Sequence, residues 1–412
     1  MLATNRMDGM TITCADCGST QTLPPVPSHG IAECQRCDRV LERRRWTQVD
    51  VSFAAALASF ILLPPAFFLP IMQSTIQNLV FQRSRLIESV SEIYAEVWFP
   101  FAFGFFFFAF VFPALRALFL LLVLGSIRWG WKIPETGRFF RWSEELRIFS
   151  MPDVVAIAGV VAYFRAAIPA DVDVLLGAWC YLAVAVLMGI ADLCLDRRAV
   201  WSSIFPDPPS GRMIHAASCT VCELTLGPEY ENPRVCPRCG AALGASLMIH
   251  FVPSATAVAA CIPLFPPAYS FAVMVNDRIT GVWEHTILGT VQLLADYGQW
   301  QFGLVVLVTG VLLPVIVLVM FLWLLVRVPF PNHHGLVRRT RAYRTLKRLV
   351  RWPMIIPFIA AIAAPIVDFR NIDDIVAGPG ATPFFALIVL LMIAVRTFEP
   401  RLMWMAAGER AE

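Results

Sequence analysis

Eight of the chain's eleven cysteines stand as four CxxC pairs. They fall into two sets, Cys14, Cys17, Cys34, Cys37 and Cys219, Cys222, Cys236, Cys239. Sixteen residues separate the pairs of the first set and thirteen those of the second, close to the spacing of four-cysteine zinc sites. Each CxxC turns back so that two thiolates face one point, and two such knuckles close a tetrahedral cage around Zn²⁺. Four sulfur ligands leave no open coordination position, so two structural Zn²⁺ sites are expected and no catalytic metal. An oxidising compartment would favour disulfides instead; a cytosolic location favours the metal. Cys180, Cys194 and Cys261 lie singly in apolar runs and are expected to pack as small hydrophobes. Haem attachment would need CxxCH, whereas Gly18, Asp38, Glu223 and Gly240 follow the second cysteines. No GxxxxGK[ST], HExxH or GxSxG stretch occurs, and no enzymatic activity is expected.

The elements that position these cysteines are unlike those of a soluble domain. Of the 412 residues, 58% are hydrophobic and 15% charged, and uncharged stretches reach the length needed to cross a hydrocarbon layer of about 30 Å. A net charge of +3 gives no reason to expect a nucleic-acid partner. The polar, Arg-containing first 50 residues show no cleaved signal, so a cytosolic start is expected. Spans are expected at about 52–72, 99–127, 150–168 and 174–195, and again at about 247–275, 300–327, 352–368 and 381–397. Arg128, Lys132, Arg138, Arg141 and Arg147 follow the second span, and an Arg-rich run from Arg327 to Arg351 follows its counterpart. The positive-inside rule puts both loops in the cytosol. Asp171 and Asp173, and Asp368, Asp373 and Asp374, lie in the opposite loops. Both termini and both ribbons are then cytosolic.

The chain also repeats itself. A shift of 202 residues lays Cys34 and Cys37 on Cys236 and Cys239, and Pro64, Pro65 and Ala66 on Pro266, Pro267 and Ala268. With short slips Pro113 meets Pro314, Gly177 and Ala178 meet Gly380 and Ala381, and Trp201 meets Trp404. The expected fold is an α-helical integral membrane protein of two tandem four-helix transmembrane modules, eight spans in all, each preceded by a small cytosolic zinc ribbon. Its parts are ribbon 1 over 1–48, module 1 over 49–201, ribbon 2 over 202–245 and module 2 over 246–412. Pro64, Pro65 and Pro70, with Pro263, Pro266 and Pro267, are expected to break the first span of each module.

Two ionisable residues fall inside spans of the first module only. Arg116 and Asp153 give way to Val317 and Ile356 in the second. Their joint loss suggests a mutually neutralising pair, since either alone would leave a buried charge. Intramembrane ionisable groups are functional candidates, and this pair is a candidate transport site for protons or a lipid headgroup. Asp192 and Arg396 lie near inner span ends, where snorkelling suffices.

The stretches "TILGTVQLLADYGQWQFGLVVLVTGVLLPVIVLVMFLWLL" from Thr286 and "GPGATPFFALIVLLMIAVRTFEPRLMW" from Gly378 resemble the paraquat-inducible protein A family. "SMPDVV" from Ser150 is similar to the family's Ser-Met-x-Asp-Val element, and "PALRAL" from Pro113 to its Pro-x-x-Lys-Leu element. The resemblance implies a multi-pass protein of the bacterial inner membrane that works with a periplasmic MCE-domain tunnel protein to move lipid, a phospholipid by expectation. Two other classes stay open at this point: a redox or quinone-linked membrane protein, and a scaffold regulated by zinc.

Overall fold

A computed structural model describes residues 10–23, 30–43, 49–76, 79–95, 99–131, 133–166, 171–205, 218–226, 234–243, 247–278, 281–296, 298–328, 335–367 and 373–408. Two short hairpins come first, β1 (Met10–Thr13) with β2 (Thr20–Leu23) and β3 (Ile31–Glu33) with β4 (Val40–Arg43). They carry the first cysteine quartet. Helix α1 (Val49–Phe68) leads to strands β5 (Pro70–Ile76) and β6 (Leu79–Arg85) and helix α2 (Leu86–Ala95). Next come α3 (Phe99–Phe106), α4 (Phe112–Trp129), α5 (Thr136–Leu146), α6 (Pro152–Ala166), β7 (Asp171–Val174), α7 (Leu176–Cys194) and α8 (Arg197–Ile204). The second quartet follows, held by isolated bridges between Ser218 and Thr225 and between Val235 and Ala242.

The same order of elements then recurs. Helix α9 (Leu247–Ser270) precedes β8 (Met274–Arg278), β9 (Gly281–His285), α10 (Ile287–Asp296), α11 (Trp300–Val306) and α12 (Leu313–Arg327). After these run α13 (Leu336–Leu349), α14 (Ile355–Val367), β10 (Asp373–Ala377), α15 (Ala381–Thr397) and α16 (Arg401–Ala406). The two three-stranded antiparallel sheets share one topology, with β5 between β6 and β7 and β8 between β9 and β10. Each sheet lies at the far end of α1 or α9 from the cysteine hairpins. This strand layer was not legible as hydrophobic periodicity, because β5 and β8 continue directly from apolar helices.

Among the described residues, five helical runs are long and apolar enough to cross a membrane: Val49–Phe68, Phe101–Trp129, Leu176–Cys194, Phe251–Ser270 and Trp300–Arg327. Between 28% and 44% of the residues in each are fully buried by protein, and the apolar side chains left exposed on the outer faces suit lipid. Of the other expected spans, α6, α14 and α15 are shorter, at 15, 13 and 17 residues. The two shortest pack on each other at the centre of the molecule, and α1 pairs with α7 as α9 pairs with α15. Gly177 and Gly380 explain their shared register. A Cβ at either would stand 2.6 Å from a carbonyl, Leu69 O or Phe271 O, where the fourth helix of each half begins beside the end of the first.

The prolines act differently from the expectation. α1 runs through Pro64 and Pro65, and α9 through Pro253, Pro263, Pro266 and Pro267, without a break. Except for Pro253 they lie in the last two turns, and Pro70 opens β5, so they end the helices rather than interrupt them. The interruption is in the second long helix, where π-helical turns at Phe107–Val111 and Leu307–Leu312 precede Pro113 and Pro314. A proline has no N–H for the carbonyl four residues back. Those carbonyls, Ala109 O and Gly310 O, accept hydrogen bonds instead from Tyr181 (2.9 Å) and Tyr269 (2.8 Å). The two tyrosines sit on different helices, α7 and α9, and meet the same need.

Candidate functional site: two cysteine quartets and a charged seam

All four knuckles fold alike. The amide after each second cysteine donates to the carbonyl of the first, from Gly18 to Cys14 and Asp38 to Cys34 at 2.9 Å, Glu223 to Cys219 at 3.1 Å and Gly240 to Cys236 at 2.8 Å. The first cysteine's own amide donates to the residue five positions on, Ser19, Arg39, Leu224 or Ala241. Closing so tight a loop puts the residue after the second cysteine in the left-handed region, φ 74, 56, 59 and 66° at Gly18, Asp38, Glu223 and Gly240. That turn aims both thiols inward.

The eight cysteines form two buried groups, Cys14, Cys17, Cys34, Cys37 and Cys219, Cys222, Cys236, Cys239, with sulfurs in each within 4.8 Å of one another. Cys14–Cys37, Cys17–Cys34, Cys219–Cys239 and Cys222–Cys236 Sγ distances are all 3.6 Å. A disulfide requires about 2.05 Å, whereas sulfurs around a tetrahedral metal with ~2.3 Å bonds lie roughly 3.8 Å apart. The donor set fits a tetrahedral thiophilic metal. Hydrogen bonds from Cys17 and Cys37 hold the Cys14 thiol down, and the bond to Cys14 pushes Cys17 up. Four thiolates cannot share so small a space without a cation. Cys261 is buried, and Cys180 and Cys194 are half-buried.

Each ribbon docks on the half of the chain it does not precede. Arg344 of α13 donates to Asp16 Oδ2 (2.7 Å), Cys37 O (3.0 Å) and Cys37 Sγ (3.2 Å), and Arg341 pairs with Asp38. Arg401 of α16 donates to Ala15 O (2.9 Å), Cys14 O (3.0 Å) and Ser218 Oγ (3.0 Å). The second quartet packs in one cluster with Phe140 of α5, Trp201 of α8 and Leu120 and Leu124 of α4. The ribbons touch each other through Thr13 and Thr225 (3.2 Å) and through Arg39 and Glu223 (2.7 Å). Sequence reasoning assigned Arg341, Arg344 and Arg401 at most a topological role; nothing local marks them as supports of a metal site.

The expected Arg116–Asp153 contact does not form. Arg116, 3% exposed on α4, pairs with Asp192 of α7, and Arg147 reaches the same carboxylate at 3.3 Å. Asp153, at the start of α6, pairs instead with Arg351 from the second half, just before α14. Asp192, half-buried, is therefore the partner of a buried guanidinium and not a snorkelling end residue. The clue was present: matching Trp201 to Trp404 lays Asp192 on Val395, so Asp192 and Arg116 also vanish together. Arg116 and Asp153 are thus parts of one charged seam, each with a partner the sequence did not identify. Around it stand the ion pairs Arg197–Glu144 (2.7 Å) and Arg396–Glu145 (3.3 Å). Burial first, and then the nearby charges of Arg147 and Arg116, push the Arg351 guanidinium down to about 10.

A family profile described as paraquat-inducible protein A matches residues 49–205 and again 253–407. The chain is 23% identical over 406 residues to the intermembrane transport protein PqiA of Escherichia coli (strain K12), covering 95% of each. It is 24% identical to the lipophilic envelope-spanning tunnel protein A of the same strain, covering 95% of this chain and 90% of the relative. A probable intermembrane transport protein of Haemophilus influenzae (strain ATCC 51907 / DSM 11121 / KW20 / Rd) is 24% identical, covering 95% of each. No solved structure matches.

Proposed function

Because the chain belongs to the paraquat-inducible protein A family, we propose that it is the inner-membrane component of a lipid transport system, working with a periplasmic MCE-domain tunnel protein. Phospholipid is the cargo class in this reading. The relatives' names, intermembrane transport and envelope-spanning tunnel, support a role between membranes. Each half contributes four crossings, eight in all, with the shorter α6, α14 and α15 completing the set begun by the five long runs. The Arg-rich α13 and the ribbons face the cytosol, and the β5–β7 and β8–β10 sheets face the periplasm and the partner. Zn²⁺ fills both quartets and holds the ribbons.

The observation that carries this reading is the charged seam between the halves. Asp153 and Arg351 join α6 to the segment before α14, so a change in either charge acts on the central interface. Protonation of Asp153 releases Arg351, which with Arg116 and Arg147 offers positive charge to a lipid phosphate. Asp153→Asn mimics the protonated state and is expected to abolish lipid transport in cells while leaving the protein in the membrane. Full transport by that variant would remove the seam from the mechanism. Isolation of the chain with a quinone or haem and no lipid would favour a redox role.

A further inference from the structure

Helices α5 and α13 hold the same place in the two halves, each after the long second helix, and each begins from a left-handed residue. For α5 that residue is Glu135 (φ 64°) and for α13 it is Gly335 (φ 82°). Glu135 pairs with Arg138 three residues on. The second half keeps the arginine, at Arg338, and drops the acid. No acidic residue stands in the first turn of α13 and no side chain caps it, and among the described residues no ion pair reaches Arg338.

More positive charge converges on the same place. Arg341 lies one turn along, joined to Asp38. Arg36, from between Cys34 and Cys37, lies 4.8 Å over the Trp404 ring. Arg36, Arg338, Arg341, Gly335, Val337 and Trp404 line a groove of about 600 Å³. Burial and the neighbouring Arg327 push the adjacent Arg339 guanidinium down. A helix N-terminus carries roughly half a positive charge and disfavours cations beside it. Arg338, which no ion pair among the described residues reaches, stands at such an end beside Arg341 on Asp38, and together they form a surface that an anion would relieve. Guanidinium forks and free backbone N–H groups match phosphate oxygens in geometry as well as charge. In the functional reading above, the groove lies on the ribbon side of the membrane, where anionic headgroups concentrate.

We propose that the groove at the start of α13 is a binding site for a phosphate group, supplied by an anionic phospholipid of the ribbon-side leaflet or by soluble phosphate. The site is separate from the charged seam and rests on the functional reading only for which leaflet it faces. Its replacement by an internal acid in the first half is what makes it specific to the second.

The test uses the full-length protein in detergent, with lipid retention counted by native mass spectrometry. Short-chain phosphatidylglycerol and inorganic phosphate are the two probes. Gly335→Glu reinstates the acid of the first half, at a backbone angle that Glu135 already adopts. Arg338→Gln removes the guanidinium that has no acid partner. Each is expected to weaken binding about tenfold, as the loss of one charge-assisted contact does, whereas Arg138→Gln leaves it unchanged. Phosphatidylglycerol lost in the variants and not displaced by inorganic phosphate identifies a lipid site; displacement at equal concentration identifies a soluble phosphate. If both variants bind both probes as tightly as the unaltered chain does, the proposal fails. Melting temperatures show that each variant is folded, and Arg338→Gln decides the matter alone if Gly335→Glu is not.

Discussion

At the scale of single residues, Arg116 and Asp192 have the strongest energetic case. Arg116 is buried, so removing its carboxylate partner leaves that charge uncompensated, at a cost of about 3–5 kcal/mol. Asp192→Ala should therefore destabilise the protein by that much, measured by chemical denaturation in detergent. Arg116→Met combined with Asp192→Leu should recover most of the loss. A double variant no better than the single one would show that the pair is not the source of the effect. Tyr181 offers a second test. Tyr181→Phe leaves Ala109 O without its donor, a loss of about 1–3 kcal/mol, and Tyr269→Phe should act alike through Gly310 O. Equal stability of both variants with the unaltered chain would mean the π-helical turns satisfy those carbonyls another way. The sequence placed Arg116 and Asp153 inside spans as a pair, whereas only Arg116 is buried and each has another partner. Joint loss between the halves is a criterion that several acids can meet, and only packing selects Asp192.

At the scale of elements, the ribbons were the most legible feature. CxxC spacing dictates a knuckle, and a knuckle dictates the left-handed residue that closes it. Metal analysis of the purified protein is expected to give two zinc ions per chain; a content near zero would return the quartets to thiol or disulfide chemistry. Stripping the metal should melt the ribbons and expose Cys14, Cys17, Cys219 and Cys222 to alkylation, since thiolates packed this closely repel without a cation. Unchanged protection after chelation would argue against a metal. The membrane helices were legible in number of residues and apolar character, and their ends were not. Proline was expected to break α1 and α9, but near a C-terminus its missing N–H costs little because the helix is about to stop. The strand layer was invisible for a related reason: helix end and strand start form one continuous apolar run.

At the scale of the whole molecule, the described residues join the halves by α6 on α14, by aromatic contacts such as Phe105 with Phe358 (5.7 Å) and Phe101 with Phe385 (5.5 Å), by the ion pairs of the charged seam and by the crossed ribbons. The crossing makes metal occupancy a property of the interface. Arg344 and Arg401 hold the carbonyls and one sulfur of the first quartet from the opposite half. Arg344→Ala is expected to free ribbon 1 and not to unfold the bundle. Hydrogen exchange should then rise over 10–43 and along α13 while α1 and α7 stay protected. Equal exchange in both proteins would make the arginine contacts incidental.

By itself the sequence determined what chain chemistry fixes locally: two sulfur quartets, long apolar helices, and an order of residues that recurs 202 positions on. Those follow from spacing and composition, which act over a few residues or one turn. Tertiary structure decided which charge meets which, which ribbon sits on which bundle, and where an arginine is left without its acid. Such choices depend on groups hundreds of residues apart, Arg344 with Asp16 or Asp153 with Arg351, and no local pattern carries them. "CPRCG" at Cys236–Gly240 could be read as a metal knuckle from five letters. That it packs against α5 and α8 of the preceding half, and not on the bundle that follows it, had to come from the fold.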